Sequence, residues 1–306
     1  TWCMIGYHAV PVIADAWIKG IRGFDGNEAL NAMVNSASKD IFGLGYYKKY
    51  GFIPAELEHE SVSKTLEYAY DDWCIATMAK SMGNDSISNL FNIRAQSYKH
   101  LYDPASGFMR ARFNGGWFNP FNPSEVNFNY TEANSWQYSF SVTQDMDGFI
   151  RMHGGKEKTA GFIDSLFSVS SKTTGREQSD ITGLIGQYAH GNEPSHHIAY
   201  LYNYCGQPWK TQEKVSTILK DFYTSKPDGL IGNEDCGQMS AWAVLSALGF
   251  YPACPGSEQY ALGSPAFEES TIHLENGRKF IISANNLSEK NIYIQSATFN
   301  RKNFNR

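Results

Sequence analysis

Four clusters of polar side chains stand apart from the apolar patterning of this 306-residue chain. In YTEANSWQYSF (130–140), Glu132 is a lone acid four positions before Trp136. In PDGLIGNEDCGQMSAW (227–242), Asn233, Glu234 and Asp235 occupy a Gly-flanked stretch ahead of an apolar run. HGNEPSHH (190–197) groups Asn192 and Glu193 with His190, His196 and His197. EYAYDDWC (67–74) sets Asp71 and Asp72 into an aromatic helical pattern. Glycoside hydrolysis needs two carboxyl groups across the scissile bond, one protonated and one acting as base or nucleophile. Glu132 beside Trp136 would have the raised pKa that an acid requires. Asp235 on an open loop would stay ionised and serve as base. The oxygens of Asn192 and Glu193 are hard donors of the kind Ca²⁺ takes.

Each cluster also has a plainer reading. Glu132 would favour a helix N-terminus electrostatically. Asn233 or Asp235 would serve equally well as the N-cap of a helix over 237–250. The histidines are more often structural or pocket residues than metal ligands, and the HExxH spacing of a zinc site is absent. Asp71 and Asp72 are harder to place in a core. Buried carboxylates need partners, and no basic residue lies within a turn of them, which favours a pocket position.

The elements that must carry these residues read as mainly α. SVSKTLEYAYDDWCIATMAKSM (61–82) has apolar residues near helical spacing, with Ser61 opening it and Gly83 closing it. A second helix follows Asp85-Ser86 and stops at Asp103-Pro104. Pro194 starts a helix that Gly206 ends, Thr211 caps another, and 237–250 forms a third. Two long connections, 103–131 and 224–236, are rich in Gly, Asn, Pro and aromatics, and long structured loops of this kind are usually functional. Helices alternating with such loops fit an α/α toroid whose site lies at one mouth. Beyond Pro255 the texture turns to β: Asn276-Gly277 between alternating runs signals a hairpin, and IYIQSATFN reads as a further strand.

Composition narrows the function classes. Hydrophobic residues make up 42%, which excludes a disordered chain. Aromatic residues reach 14%, enough for a core and for a pocket that receives sugar rings. The net charge of -5 and the lack of a Lys/Arg run argue against nucleic acid as a partner. No apolar run approaches a membrane span. Cys3, Cys74, Cys205, Cys236 and Cys254 are odd in number and show no CxxC spacing, so neither a zinc site nor a disulfide lattice is indicated. The chain opens without an initiator Met, in what reads as a helix, as expected of a piece of a longer protein.

At these residues the sequence resembles glycoside hydrolase family 92, the calcium-dependent exo-α-mannosidases common in gut Bacteroidetes. The stretches that carry the resemblance are HAVPVIADAWIKGIRGFD (8–25), YAYDDWCIATMAKSMG (68–83), the GFMRAR…GGW…PFNP segment (107–123), EANSWQY (132–138), GLIGQYAHGNEPSHHIAYLYNYCGQPWKTQ (183–212) and DGLIGNEDCGQMSAWAVLSALGFYPACPGSEQYALGSP (228–265). The resemblance implies an (α/α)6 barrel over 1–255, lacking its N-terminal part, and an incomplete β-rich segment over 256–306. It implies an N-terminal β domain of the same protein as a partner, and a periplasmic, secreted or cell-surface location.

Carried over position by position, Glu132 matches the general acid and Asp235 the general base of an inverting single displacement. Ca²⁺ is implied as cofactor, placed near Asn192 and Glu193, where it would bind the 2- and 3-hydroxyls of the terminal mannose. Asp71, Asp72, Trp136, Glu177, His196 and Asn233 complete the expected substrate-binding set. Three departures stand out: Asn233 where an acidic residue would assist the base, Ala133 where Gly is usual, and QDMDGF (144–149), which weakens Asp145 as a sugar ligand. The expected substrate is a mannose-containing glycan, an N-glycan or yeast-type mannan, most readily α-1,2-linked. Linkage preference is assigned to the GREQ loop with Arg176 and Glu177. Two alternatives compete: a calcium-independent inverting α/α-barrel glycosidase for glucose-type sugars, and a non-catalytic glycan-binding module.

Overall fold

The computed structural model of the protein describes residues 4–304. A first helical group comprises α1 (Ala9–Ile18), α2 (Gly26–Ser38), α3 (Leu44–Tyr50), α4 (Ser61–Ser81) and α5 (Asp85–Arg94). A second comprises α6 (Ser135–Tyr138), α7 (Met146–Met152), α8 (Lys156–Ser168), α9 (Pro208–Phe222) and α10 (Gln238–Leu248). Local chemistry sets several starts. The Asp25 carboxylate accepts from the amides of Asn27 and Glu28, and Asn84 accepts from Ile87, so both α2 and α5 open on side-chain caps.

Helix α4 is the axis of the fold. Val62 and Leu66 belong to one core with Tyr98, Phe140, Phe149, Tyr200 and Trp242. Tyr68, Cys74, Ile75 and Met78 belong to a second, with Val10, Leu30, Met33, Tyr47 and Phe91. A helix that is apolar on most sides must be enclosed, and α4 is packed by α1, α2 and α5. Its expected bounds hold. So does the helix after Gly237, which α10 occupies with left-handed glycines at both ends.

Other boundaries differ from expectation for identifiable reasons. Bends occupy residues 4–6 and α1 begins at Ala9, so the first described residues are not helical. Helix α9 begins at Pro208, whose fixed φ suits a first turn, and Thr211 lies fully buried inside it rather than capping it. The region after Pro194 breaks into two 3-10 turns, Glu193–Ser195 and Ile198–Asn203, before Gly206 turns the chain at φ 73°. The hairpin around Asn276-Gly277 forms as expected, with Glu269–His273 antiparallel to Lys279–Ser283. Of IYIQSATFN only Thr298–Phe299 pairs, with Lys302–Asn303.

The long loops are held rather than loose. Two short antiparallel hairpins order residues 102–117, and Glu125–Val126 pairs in parallel with Thr174–Gly175. The C-terminal β segment contributes no buried apolar cluster of its own among the described residues. It docks instead: the Gly256 amide donates to Asp15 at 2.8 Å, and the Ile294 amide to Gln212 on α9 at 3.0 Å. Cys74, Cys205 and Cys254 are buried free thiols and Cys236 is an exposed one, while Cys3 lies outside the described residues. Among the described residues no helix is long and apolar enough to cross a membrane.

Candidate active site

Glu132 sits on the turn that feeds α6, not within a helix. Its backbone is left-handed at φ 49°, and α6 starts only at Ser135 behind an Asn134 capping box. The i+4 relation to Trp136 is therefore one of sequence and not of helix geometry. The turn is fixed from both sides. The Thr131 amide donates to Ser63 on α4 at 2.9 Å, and Asn192 Nδ2 donates to the Glu132 carbonyl at 3.2 Å and to its Oε2 at 3.3 Å. Burial pushes the half-buried Glu132 carboxyl above the ordinary carboxylate range. The nearby charges of Asp180, Asp235 and Glu60 add to that rise, and the Asn192 contact opposes it.

Asp235 comes to the same place on the loop before α10. It too is left-handed, at φ 46°, and exposed. Non-glycine residues pay to hold this conformation and do so chiefly where surroundings enforce it. The expected N-cap duty falls elsewhere. Gly237 is the N-cap of α10 without a side-chain bond, and Glu234 accepts from the Ser240 amide and hydroxyl. The Asp235 carboxylate is thus not spent on the helix. It lies against the Glu193 carboxyl, whose pKa burial and Asp235 together raise to about 7. Two glycines permit this approach, since a Cβ on Gly232 would strike the backbone of Gly191, and one on Gly191 would strike Thr182 and Ile231.

Asp180 is the site residue that sequence reading missed. It is half-buried, accepts from Asn233 Nδ2 at 3.2 Å and from Gln178, and among the carboxylates acts most strongly on Glu132. The only signal in the sequence was its place four residues after Arg176 in GREQSD. Asn233 is accordingly bound to a carboxylate of another loop.

Beneath these loops lies a layer of rings. His190 Nδ1 meets the Tyr188 hydroxyl at 2.8 Å and its Nε2 meets the Tyr223 hydroxyl at 2.7 Å. The Trp242 indole stacks on Tyr223 at 5.9 Å and donates to the His196 carbonyl at 2.9 Å. His196 was expected to bind substrate. It is buried, with Nε2 against the His190 carbonyl at 2.9 Å and Nδ1 against Gln238 at 3.1 Å, so both ring nitrogens are engaged. Burial lowers its pKa to about 4, leaving a neutral ring that supports the site floor.

Three further expected contacts lie elsewhere. Trp136 is buried between Phe108, at 4.7 Å, and Phe162, at 5.4 Å, and is a core residue. Asp71 and Asp72 are fully buried and partnered from distant elements, which corrects their assignment to a pocket. Asp71 binds the Tyr7 amide at 2.8 Å and His8 Nδ1 at 2.8 Å. Asp72 binds Arg94 Nε at 2.8 Å and the hydroxyls of Tyr7 and Tyr47 at 2.6 and 2.9 Å. The basic residues absent within a turn arrive from α5 and from the segment before α1. Glu177 is exposed on the rim, and Asp145 caps α7 and accepts from Tyr98 at 2.8 Å.

Residues 1–306 match the profile of the glycosyl hydrolase family 92 catalytic domain. The chain belongs to glycosyl hydrolase family 92. It is 44% identical to a family GH92 α-mannosidase of Bacteroides thetaiotaomicron solved in complex with mannoimidazole, with a TM-score of 0.94, over 99% of this chain and 41% of that one. A family GH92 inverting mannosidase of the same organism is 39% identical, with a TM-score of 0.90, over 100% of this chain and 44% of that one. A protein of Arthroderma benhamiae described as an uncharacterized secreted glycosidase is 29% identical over 98% of this chain and 42% of its own length. The chain thus spans less than half the length of these relatives.

Whether this family 92 chain offers a cation site can be judged from its donors. The half-buried Glu193 carboxyl lies against the exposed Asp235 carboxylate, a like-charge contact that a cation would relieve. The Asn192 amide oxygen is turned to the Glu193 amide at 3.2 Å. Among the described residues no three His, Cys, Asp or Glu side chains converge as ligands. Glu193 and Asn192 offer oxygen donors of the kind Ca²⁺ takes, and would supply only part of the six to eight ligands it needs.

Proposed function

We propose that the protein removes terminal α-linked mannose from N-glycans or yeast-type mannan, most readily α-1,2-linked, with inversion at the anomeric carbon. The observation that carries this reading is the proximity of Glu132 and Asp235, each on a loop with a left-handed backbone. One carboxyl is half-buried with a raised pKa and the other is exposed and free of capping. Glu132 protonates the leaving oxygen. Asp235 takes a proton from the attacking water. Asn192 orients the acid through its contact with Oε2. Bound Ca²⁺ would polarise the sugar's vicinal hydroxyls and assist its distortion, held by Asn192 and Glu193.

In this reading residues 1–255 contribute to an (α/α)6 barrel, 256–306 to a β-rich element, and an N-terminal β domain closes the pocket. Like the secreted relative, the protein would act outside the cytoplasm. Mannose release from α-1,2-, α-1,3- and α-1,6-mannobiosides by the full-length protein, with and without chelator, tests the reading. Release from the α-1,2 substrate that stops in chelator supports it. Mannose binding without turnover would instead mark a glycan-binding module, and turnover indifferent to chelator the calcium-independent glycosidase.

A further inference from the structure

Two buried imidazoles join the loop that carries Asn192 and Glu193 to the helix that follows Asp235. Burial and the neighbouring His196 disfavour a charge on the His190 ring, so one of its nitrogens donates and the other accepts. The Tyr223 hydroxyl donates its single proton to the Met239 carbonyl on α10 at 3.1 Å, and therefore accepts from His190 Nε2–H at 2.7 Å. Nδ1 is left to accept from the Tyr188 hydroxyl at 2.8 Å. The His190 ring is fully buried, with the Trp242 ring of α10 T-shaped against it at 4.4 Å. The His190 carbonyl accepts from His196 Nε2, and His196 in turn accepts at Nδ1 from Gln238 and at its carbonyl from the Trp242 indole. Both histidines thus grip the first turns of α10, where Gln238 and Met239 follow Asp235 by three and four positions.

The other end of the Asp235 loop is tied from the same segment. Thr182 Oγ1 donates to the Ile231 carbonyl at 2.7 Å, and the Thr182 carbonyl accepts from the Gly191 amide at 3.1 Å. The loop is therefore held at both ends, while Asp235 between them is left-handed and exposed. A buried ring with both nitrogens bonded resists displacement, because moving it would leave an N–H and a lone pair unpaired away from water. A catalytic group on an exposed loop needs such support to keep its place against the reacting atoms. We infer that His190 is a positioning residue: through Tyr223 and Met239 it fixes the downstream end of the Asp235 loop, and with it the distance from Asp235 to Glu193. This inference rests on the mannosidase reading for what Asp235 does, and on the hydrogen bonds alone for what His190 holds.

Two conservative substitutions separate positioning from plain stability. Tyr223→Phe and Tyr188→Phe each remove one hydroxyl from His190 and keep the ring. Only Tyr223→Phe severs the link to α10, whereas Tyr188→Phe breaks a bond between neighbours within one segment. In the full-length protein Tyr223→Phe should lower kcat on α-1,2-mannobiose about tenfold with little change in KM. Amide hydrogen exchange across 231–239 should quicken in the same variant. Tyr188→Phe should leave both readouts near wild type, even where urea unfolding shows a comparable loss of stability. His190→Gln, which can still donate to Tyr223, should keep more of the rate than His190→Leu. Equal losses of rate and protection in the two tyrosine variants, or no change in either, would overturn the inference. Should the wild type release no mannose, the mannosidase reading fails separately, and exchange alone then decides. Faster exchange over 231–239 in Tyr223→Phe but not in Tyr188→Phe upholds the positioning role, and matching exchange overturns it.

Discussion

Asp71–Asp72 and Glu132–Asp235 are both pairs of acids in aromatic surroundings, yet the fold treats them in opposite ways. The first pair lies on the central helix with every side-chain oxygen bound: Asp71 by His8 and the Tyr7 amide, Asp72 by Arg94 and two tyrosines. Burial pushes Asp72 up to about 7 against the pull of Arg94 and the hydroxyls. The second pair lies on loops whose backbones are forced left-handed, and its carboxyls face other carboxyls in place of cations. A carboxylate surrounded by compensating partners ties elements together. One surrounded by its own kind holds a proton or a cation ready, which is what proton transfer needs.

That contrast can be broken most sharply at the loops. Glu132→Gln should lower kcat/KM on mannobiose by about 10³-fold, as expected when a general acid is removed. An activated aryl mannoside needs less protonation and should lose much less, whereas Asp235→Asn should harm both substrates alike. Steady-state kinetics on both substrates checks this, and equal aryl-substrate losses in the two variants would dissolve the division of roles. Removing metal comes next. Chelation should suppress mannobiose turnover, and Ca²⁺ but not Zn²⁺ should restore it, because the donors are oxygens.

At the helix pair the expected effects concern stability. Asp72→Asn strands the Arg94 guanidinium, and breaking one side of a buried ion pair costs about 3 kcal/mol. Urea unfolding should show that loss, and a change below about 0.5 kcal/mol would mean the pair is dispensable. The smallest effect belongs to His8. Burial works against its charge, but Asp71 and Glu67 outweigh it and hold its pKa well above the ordinary value. Its stabilising charge is then fully present below about pH 6.5 and is lost as pH rises through the raised folded value. The melting temperature should fall over that alkaline window, and His8→Gln should flatten the fall. With a 41% exposed side chain the effect is solvent-screened and modest.

Much of this was legible in the sequence where local rules govern. Helix α4, helix α10 and the Asn276-Gly277 hairpin follow from periodicity and turn chemistry, and Glu132 and Asp235 stood out as candidate acids, Asp235 alone of the two on a loop. Asp71 and Asp72 were misjudged because their partners lie 22 to 65 residues away in the chain, beyond any local count of charges. Trp136 was expected to bind substrate from the family resemblance, yet packing against Phe108 and Phe162 makes it a core residue. Asp180 was missed for the converse reason: its place in GREQSD is a faint signal, and its contact with Asn233 of a distant loop brings it to the site.

In the proposed mechanism Glu132 and Asp235 act on opposite faces of the sugar in one displacement. Proton NMR of the first-formed product from an α-mannoside tests it most directly. Their carboxyls should stand roughly 6.5–9.5 Å apart in the working site, leaving room for a water between base and sugar. β-Mannose should appear first and then mutarotate. Initial release of α-mannose would require a covalent intermediate and would contradict it.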